Sequence, residues 1–120
     1  MVVAVVAATV LSCTHKPTET LPVLPATVSF QGNILPLFAS NCSTTGCHAG
    51  SSPAANLDLT AVNAYVRLFA KKEIDTVNPS NSFLYMTMNS TGTPMPPTGK
   101  LGANDIGLVL KWIQQGARNN

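Results

Sequence analysis

From Met1 to Leu11 the chain is apolar at every position except Thr9. A run of this length is too short to cross a bilayer as a helix, which takes about 20 residues. Residues 14–28 are polar and contain Pro17, Pro22 and Pro25; proline fixes φ and donates no hydrogen bond, so this stretch reads as an extended tether. Beyond it the apolar positions fall at helical spacing. Phe30, Ile34, Leu37 and Phe38 outline a first helix, with Pro36 either interrupting it or belonging to its first turn. Thr60 reads as the cap of a second helix through about Leu68, with Val62, Tyr65, Val66 and Phe69 as its apolar positions. Val77-Asn78-Pro79-Ser80 opens a short third helix that ends near Met88. The last helix is the clearest: Ile106, Val109, Leu110 and Ile113 fall at i, i+3, i+4 and i+7. Gly102 suits its N-cap, Asp105 its first turn, Leu101 can staple onto Ile106, and Gly116 marks its end. The Val and Thr near Asp75–Val77 read either way, but no alternating strand stands out. The pattern predicts an all-α domain of about four helices over residues 29–120.

Composition adds a question. The 120 residues are 45% hydrophobic and 10% charged, with a formal net charge of +2. Such a chain folds rather than staying disordered, and it lacks the basic stripe of a dedicated nucleic-acid binder. Aromatic residues make up only 6%. A domain this small and this poor in large rings has difficulty filling its own middle, so a disulfide, a metal or a cofactor is expected to help. Nothing in the sequence resembles a catalytic set: the acidic residues form no pair, no Ser-His-Asp combination is visible, and no phosphate-binding glycine loop occurs.

The cysteines carry the candidate chemistry. Val10-Leu11-Ser12-Cys13, after the apolar run, looks like a bacterial lipobox. That resemblance implies a signal peptide over residues 1–12, a lipidated Cys13 and a tether over 13–28 in which His15 is a solvated side chain. It implies export and a lipid anchor in the cell envelope. Thr14 is not the Asp that retains some lipoproteins at the inner membrane, so the outer membrane is the expected destination. No Lys or Arg precedes the apolar run, so a basic leader would lie upstream of Met1.

Cys42-Ser43-Thr44-Thr45-Gly46-Cys47-His48 leaves three readings open. A local disulfide suits an exported protein, although so short a loop removes little unfolded-state entropy. A zinc site would need a fourth ligand beyond Cys42, Cys47 and His48. The third reading is covalent haem, whose attachment motif is Cys-x-x-Cys-His. The gap here is four residues, so the loop must bulge, and Gly46 is suited to positive φ. The adjacency of Cys47 and His48, which places an axial ligand, is intact. A second axial ligand would come from Met86, Met88 or Met95. Met95 sits in Gly92-Thr93-Pro94-Met95-Pro96-Pro97, off any regular element and stiffened by prolines, whereas Met86 and Met88 lie on the short third helix and read as core fillers.

The order of these features resembles a small class I cytochrome c, closest to the planctomycete-type cytochrome c domain. Ile34-Leu35-Pro36-Leu37-Phe38 leads to Cys42 and Cys47-His48; Leu57-Asp58-Leu59, Asn78-Pro79-Ser80-Asn81-Ser82-Phe83-Leu84 and Met95-Pro96-Pro97 follow; Leu101, Trp112-Ile113 and Gly116-Ala117 close the series. The resemblance covers roughly residues 29–117. It implies a small cytochrome c fold wrapped around one haem, bound covalently by Cys42 and Cys47. It implies His48 as proximal ligand, oriented through its other ring nitrogen by a backbone carbonyl, and Met95 as distal ligand. Phe30, Leu35, Phe38, Leu59, Phe83, Leu84, Leu101 and Trp112 would surround the haem. The implied function is one-electron transfer by a membrane-anchored, monomeric carrier rather than an enzyme. Its partners would be redox proteins of the cell envelope, their docking biased by Lys71, Lys72 and Lys100. Two alternatives stand beside it: a haem enzyme or gas sensor with an open iron position, and a haem-free, disulfide-stapled binding module.

Overall fold

The structure is a computed structural model that describes residues 23–120. The expected signal peptide 1–12, the lipidated Cys13, His15 and the tether up to residue 22 lie outside the described residues. The described residues form four α-helices: α1 (Leu35–Asn41), α2 (Ala64–Ala70), α3 (Phe83–Asn89) and α4 (Ala103–Gln114). Among the described residues there is no strand, and the protein is all-α. Single helical turns at Ala54–Asn56 and Pro79–Asn81 join these helices.

The first helical segment opens at Ser29. Its hydroxyl accepts the Gly32 N–H at 3.1 Å, and its own N–H donates to Asn33 Oδ1 at 2.8 Å, a reciprocal cap that satisfies two otherwise orphaned donors. Phe30–Ile34 forms a wide π-type turn that runs into α1, with the Leu35 N–H reaching back to the Phe30 carbonyl. Pro36 then occupies the first turn of α1, where a missing N–H is tolerated. Proline thus belongs to the first turn, and the chain widens just ahead of it.

The second helix departs from the sequence-based expectation. It begins at Ala64, and Thr60 gives it no side-chain cap. Asp58 organises the approach instead: its carboxylate accepts the Thr60 N–H at 2.9 Å and the Asn63 side-chain amide at 2.7 Å. The buried stripe is Ala64 and Leu68, while Val62 is 88% and Val66 67% exposed and Phe69 is exposed beside them. Two stripes of helical spacing share this helix, and only one can face the core. The Tyr65 hydroxyl donates to the Ala117 carbonyl at 3.0 Å, and its ring lies edge-on to Phe30 with centroids 5.2 Å apart. Those contacts set the rotation of α2 and turn the valines outward.

The third helix is shorter than expected because the chain breaks at Ser82. That residue is extended (ψ 127°) and buried. Its hydroxyl accepts the Asp75 N–H at 2.9 Å and donates to the Asp75 carbonyl at 3.2 Å. The ambiguous stretch 75–77 is a turn: the Asp75 carboxylate accepts the N–H groups of Val77 and Asn78. Leu84 and Met88, one turn apart, bury the inner face of α3.

Helix α4 follows the sequence pattern closely. Gly102 is its N-cap, and Ile106, Val109, Trp112 and Ile113 are buried. It ends in a Schellman-type motif. The Gly116 N–H donates to the Ile113 carbonyl at 2.9 Å and the Ala117 N–H to the Trp112 carbonyl at 3.0 Å. Gly116 has φ +92°, a conformation that glycine adopts at little cost.

Packing on α4 begins upstream of Ser29, inside the stretch that reads as tether. The Gln115 side chain accepts the Val28 N–H at 2.9 Å and donates to the Ala26 carbonyl at 2.8 Å, and Val28 is buried. Leu24 lies so close to Gly107 that a Cβ there would meet its Cδ1 at 3.2 Å. The mid-helix glycine therefore makes room for the incoming chain.

Sixteen buried apolar residues form one core cluster. Three of the seven aromatics lie in it: Phe30 lies 5.1 Å from Trp112 and 6.4 Å from Phe38, centroid to centroid. Val28 and Ala117 belong to the same cluster.

Candidate functional site

Cys42 follows α1 as its C-cap, and the N–H groups of Cys42 and Ser43 both bond to the Phe38 carbonyl at 2.8 Å. The chain then bulges. The Cys47 N–H closes a tight turn on the Thr44 carbonyl at 2.9 Å, with Gly46 at φ +87°, where a side chain would strain the backbone. The His48 N–H returns to the Cys42 carbonyl at 3.1 Å and closes the loop. The four-residue gap between the cysteines is thereby taken up by one glycine-assisted turn.

Leu57-Asp58-Leu59 clamps His48 from the other side. The Leu59 N–H donates to the His48 carbonyl at 2.8 Å, and His48 Nδ1 lies 3.1 Å from the Leu57 carbonyl. A carbonyl only accepts, so Nδ1 carries a proton, and in the neutral ring Nε2 then holds the lone pair that a ligand role needs. Leu57 and Leu59 are buried on either side of Asp58 and anchor the clamp in the core. Half-buried Glu73 is nearby: burial pushes its carboxyl up, while the attraction of His48 and Lys71 works against that rise.

Met95 arrives from a distant segment. Its N–H donates to the Thr87 carbonyl at 3.0 Å, which ties the proline-rich loop to the end of α3. Cys42, Cys47, His48 and Met95 line one cavity of about 140 Å³, completed by Asn41, Gly46, Ala54, Pro96 and Pro97. Met86 is exposed and Met88 buried in the core, and neither lines this cavity. The eight side chains expected around a haem do not line it either. Phe30, Phe38 and Trp112 belong to the core, Leu101 borders a separate groove beside α4, and Phe83 is exposed. The walls are made of small or proline side chains that periodicity gives no reason to single out. The Leu57 carbonyl is the one contact with a sequence signal, the Leu-Asp-Leu segment.

The two sulfur atoms are chemically unequal. Both cysteines are free thiols, Cys42 half-buried and Cys47 exposed. Burial, reinforced by the neighbouring Cys47, pushes the Cys42 thiol up to about 11. Thiolate is the nucleophile, so an alkylating reagent at about pH 8.5 will label Cys47 ahead of Cys42 in protein with both thiols free. Peptide mass mapping over a time course reads the order, and equal rates would contradict this arrangement. Among the described residues no group of three or more His, Cys, Asp and Glu side chains is disposed to hold a metal ion. Lys71 and Lys72 are exposed after α2, and the Lys100 ammonium donates to the Asn89 carbonyl at 2.8 Å; none of the three lines the cavity.

No protein-family model matches the chain, and neither a curated protein nor a solved structure matches it.

Proposed function

We propose that this chain is a monohaem c-type cytochrome that carries single electrons. One observation carries the reading. A Cys-Cys-His loop and a proline-flanked methionine, 47 residues beyond the histidine, line the same cavity. The donor set fits the group: two free thiols for thioether bonds, an imidazole whose Nδ1 is already engaged, and a thioether sulfur. In this reading Cys42 and Cys47 hold the haem, His48 is the proximal ligand and Met95 the distal one. When bound, the haem supplies an iron that passes between ferric and ferrous states.

The chain's own residues supply position. Leu57 holds the His48 ring in one tautomer, and the bond from Met95 to Thr87 fixes where the methionine enters. The cavity encloses only part of a ring of haem size, which suits exchange of electrons at an exposed edge. The presence of Met95 favours a carrier over an enzyme or sensor with an open position. Export on residues 1–12 and a lipid anchor at Cys13 remain part of the proposal, as do redox proteins of the envelope as partners.

Purification from a host that matures c-type cytochromes tests the proposal. Haem will stay attached after denaturation of the wild type and be absent from a Cys42→Ala/Cys47→Ala variant. Wild-type protein that releases all its haem on denaturation, or carries none, would sink the reading.

A further inference from the structure

Three contacts brace Cys47 and His48 against the segment that follows them. The Ala54 N–H donates to the Cys47 carbonyl at 2.6 Å, the Leu59 N–H donates to the His48 carbonyl at 2.8 Å, and His48 Nδ1 lies 3.1 Å from the Leu57 carbonyl. Bringing residues 54–59 back along 47–48 requires a sharp reversal. The chain makes it at Ala54–Asn56, where the Asn56 N–H closes on the Pro53 carbonyl at 2.9 Å and the Leu57 N–H on the Ala54 carbonyl at 3.1 Å. Ala55 (φ 53°, ψ 17°) and Asn56 (φ 55°) are both left-handed there.

A left-handed alanine is costly because its Cβ crowds the following carbonyl oxygen; asparagine bears the conformation better and glycine adopts it freely. Two such residues in succession, neither of them glycine, persist only where their surroundings hold them. Their own side chains gain nothing from it, since both are exposed and outside the core cluster. The gain falls on the next residue: Leu57 is buried, and its carbonyl is the partner of Nδ1. We infer that Ala55 and Asn56 are positioning residues for His48. Their left-handed turn sets where the Leu57 carbonyl stands, and that carbonyl holds the Nδ1 proton and the angle of the ring. The inference rests on the electron-carrier reading for its effect on the iron. A hydrogen bond donated from Nδ1 makes the imidazole a stronger ligand through Nε2 and favours the ferric state. A turn that lets the carbonyl withdraw therefore raises the reduction potential.

Ala55→Val and Ala55→Gly in holoprotein are the test. Valine is β-branched and tolerates positive φ poorly, whereas glycine adopts it at little cost. Residue 55 is exposed, so neither change disturbs the core. In reduced Ala55→Val the His48 Nδ1 proton, followed by NMR, will exchange with solvent about tenfold faster than in the wild type. Its reduction potential will shift upward. In Ala55→Gly both quantities will stay at their wild-type values. Asn56→Ala, a milder loss of left-handed tolerance, will move both the same way as valine and decides the matter if Ala55→Val does not fold. A turn with a merely structural role would change thermal stability and leave proton exchange and potential alone. Folded Ala55→Val and Asn56→Ala proteins with wild-type exchange and potential would overturn the inference. So would a glycine variant that behaves like the valine one, because the lost side chain rather than the backbone would then be responsible. Wild-type protein without covalent haem would remove the electron-carrier reading, and the nitrogen NMR shifts of His48 would still test the brace. They will show Nδ1 protonated in the wild type and Ala55→Gly and a mixture of tautomers in Ala55→Val; one tautomer in all three would overturn the inference.

Discussion

Trp112→Ala will lower the free energy of unfolding by about 3–5 kcal/mol, the range for deleting a large aromatic from a packed core. Trp112 is 1% exposed, its ring lies 5.1 Å from that of Phe30, and its indole N–H donates to the Arg118 carbonyl at 2.9 Å. The substitution removes the packing of both rings and leaves a void that α4 and the Phe30 turn cannot close together, because the Schellman-type end of α4 holds the helix in place. Arg118 is exposed, so its freed carbonyl turns to water and adds little to the cost. Small domains are stable by about 5–15 kcal/mol, with short chains toward the lower end, so the variant will be close to unfolding. Urea denaturation followed by far-UV circular dichroism measures the change, since the only tryptophan is lost as a fluorescent probe. A loss below about 1 kcal/mol would show that this ring is not central to the core. Trp112→Phe keeps most of the buried ring and will cost less.

Met95→Ala has the largest expected effect on the proposed chemistry. The side chain is 44% exposed and belongs to no core cluster, and alanine keeps the N–H that bonds to Thr87, so the fold will survive. Haem will remain attached through Cys42 and Cys47, which separates this variant from the double cysteine one. The methionine–iron charge-transfer band will vanish from the oxidised spectrum. The reduction potential will fall by something on the order of 0.1 V or more, because a methionine ligand raises the potential and axial ligands set it over a wide range. Met86→Ala is the control and will leave band and potential unchanged. A band that persists in Met95→Ala would remove Met95 as the distal ligand.

The two variants probe parts of the molecule that differed in how readable they were. Helix α4 could be placed from Ile106, Val109 and Ile113 with its cap and stop, because only one stripe on it is apolar enough to be buried. Helix α2 could not. Val62, Val66 and Phe69 have the same spacing as Ala64 and Leu68 and are more hydrophobic, so periodicity favours the wrong face. The Tyr65 hydroxyl bond to Ala117, 52 residues away, decides the matter, and no local pattern announces it. The cavity divides in the same way. Its sulfur and imidazole members stand out because cysteine, histidine and a methionine among prolines are rare and chemically marked. Its walls do not, because Asn41, Ala54 and Pro97 are ordinary residues whose neighbours are chosen by the path of the chain.

By itself, then, the sequence determined the helical class, the start and end of α4, and the four residues on which a haem proposal rests. These depend on local matters: spacing, caps, proline's missing donor, and the reactivity of particular atoms. Tertiary structure decided which stripe of α2 faces inward and that residues 24–28 pack on α4. It also brought Met95 to the cysteine–histidine loop. Each of these follows from contacts between segments far apart in the chain, where the burial of one surface fixes the orientation of another.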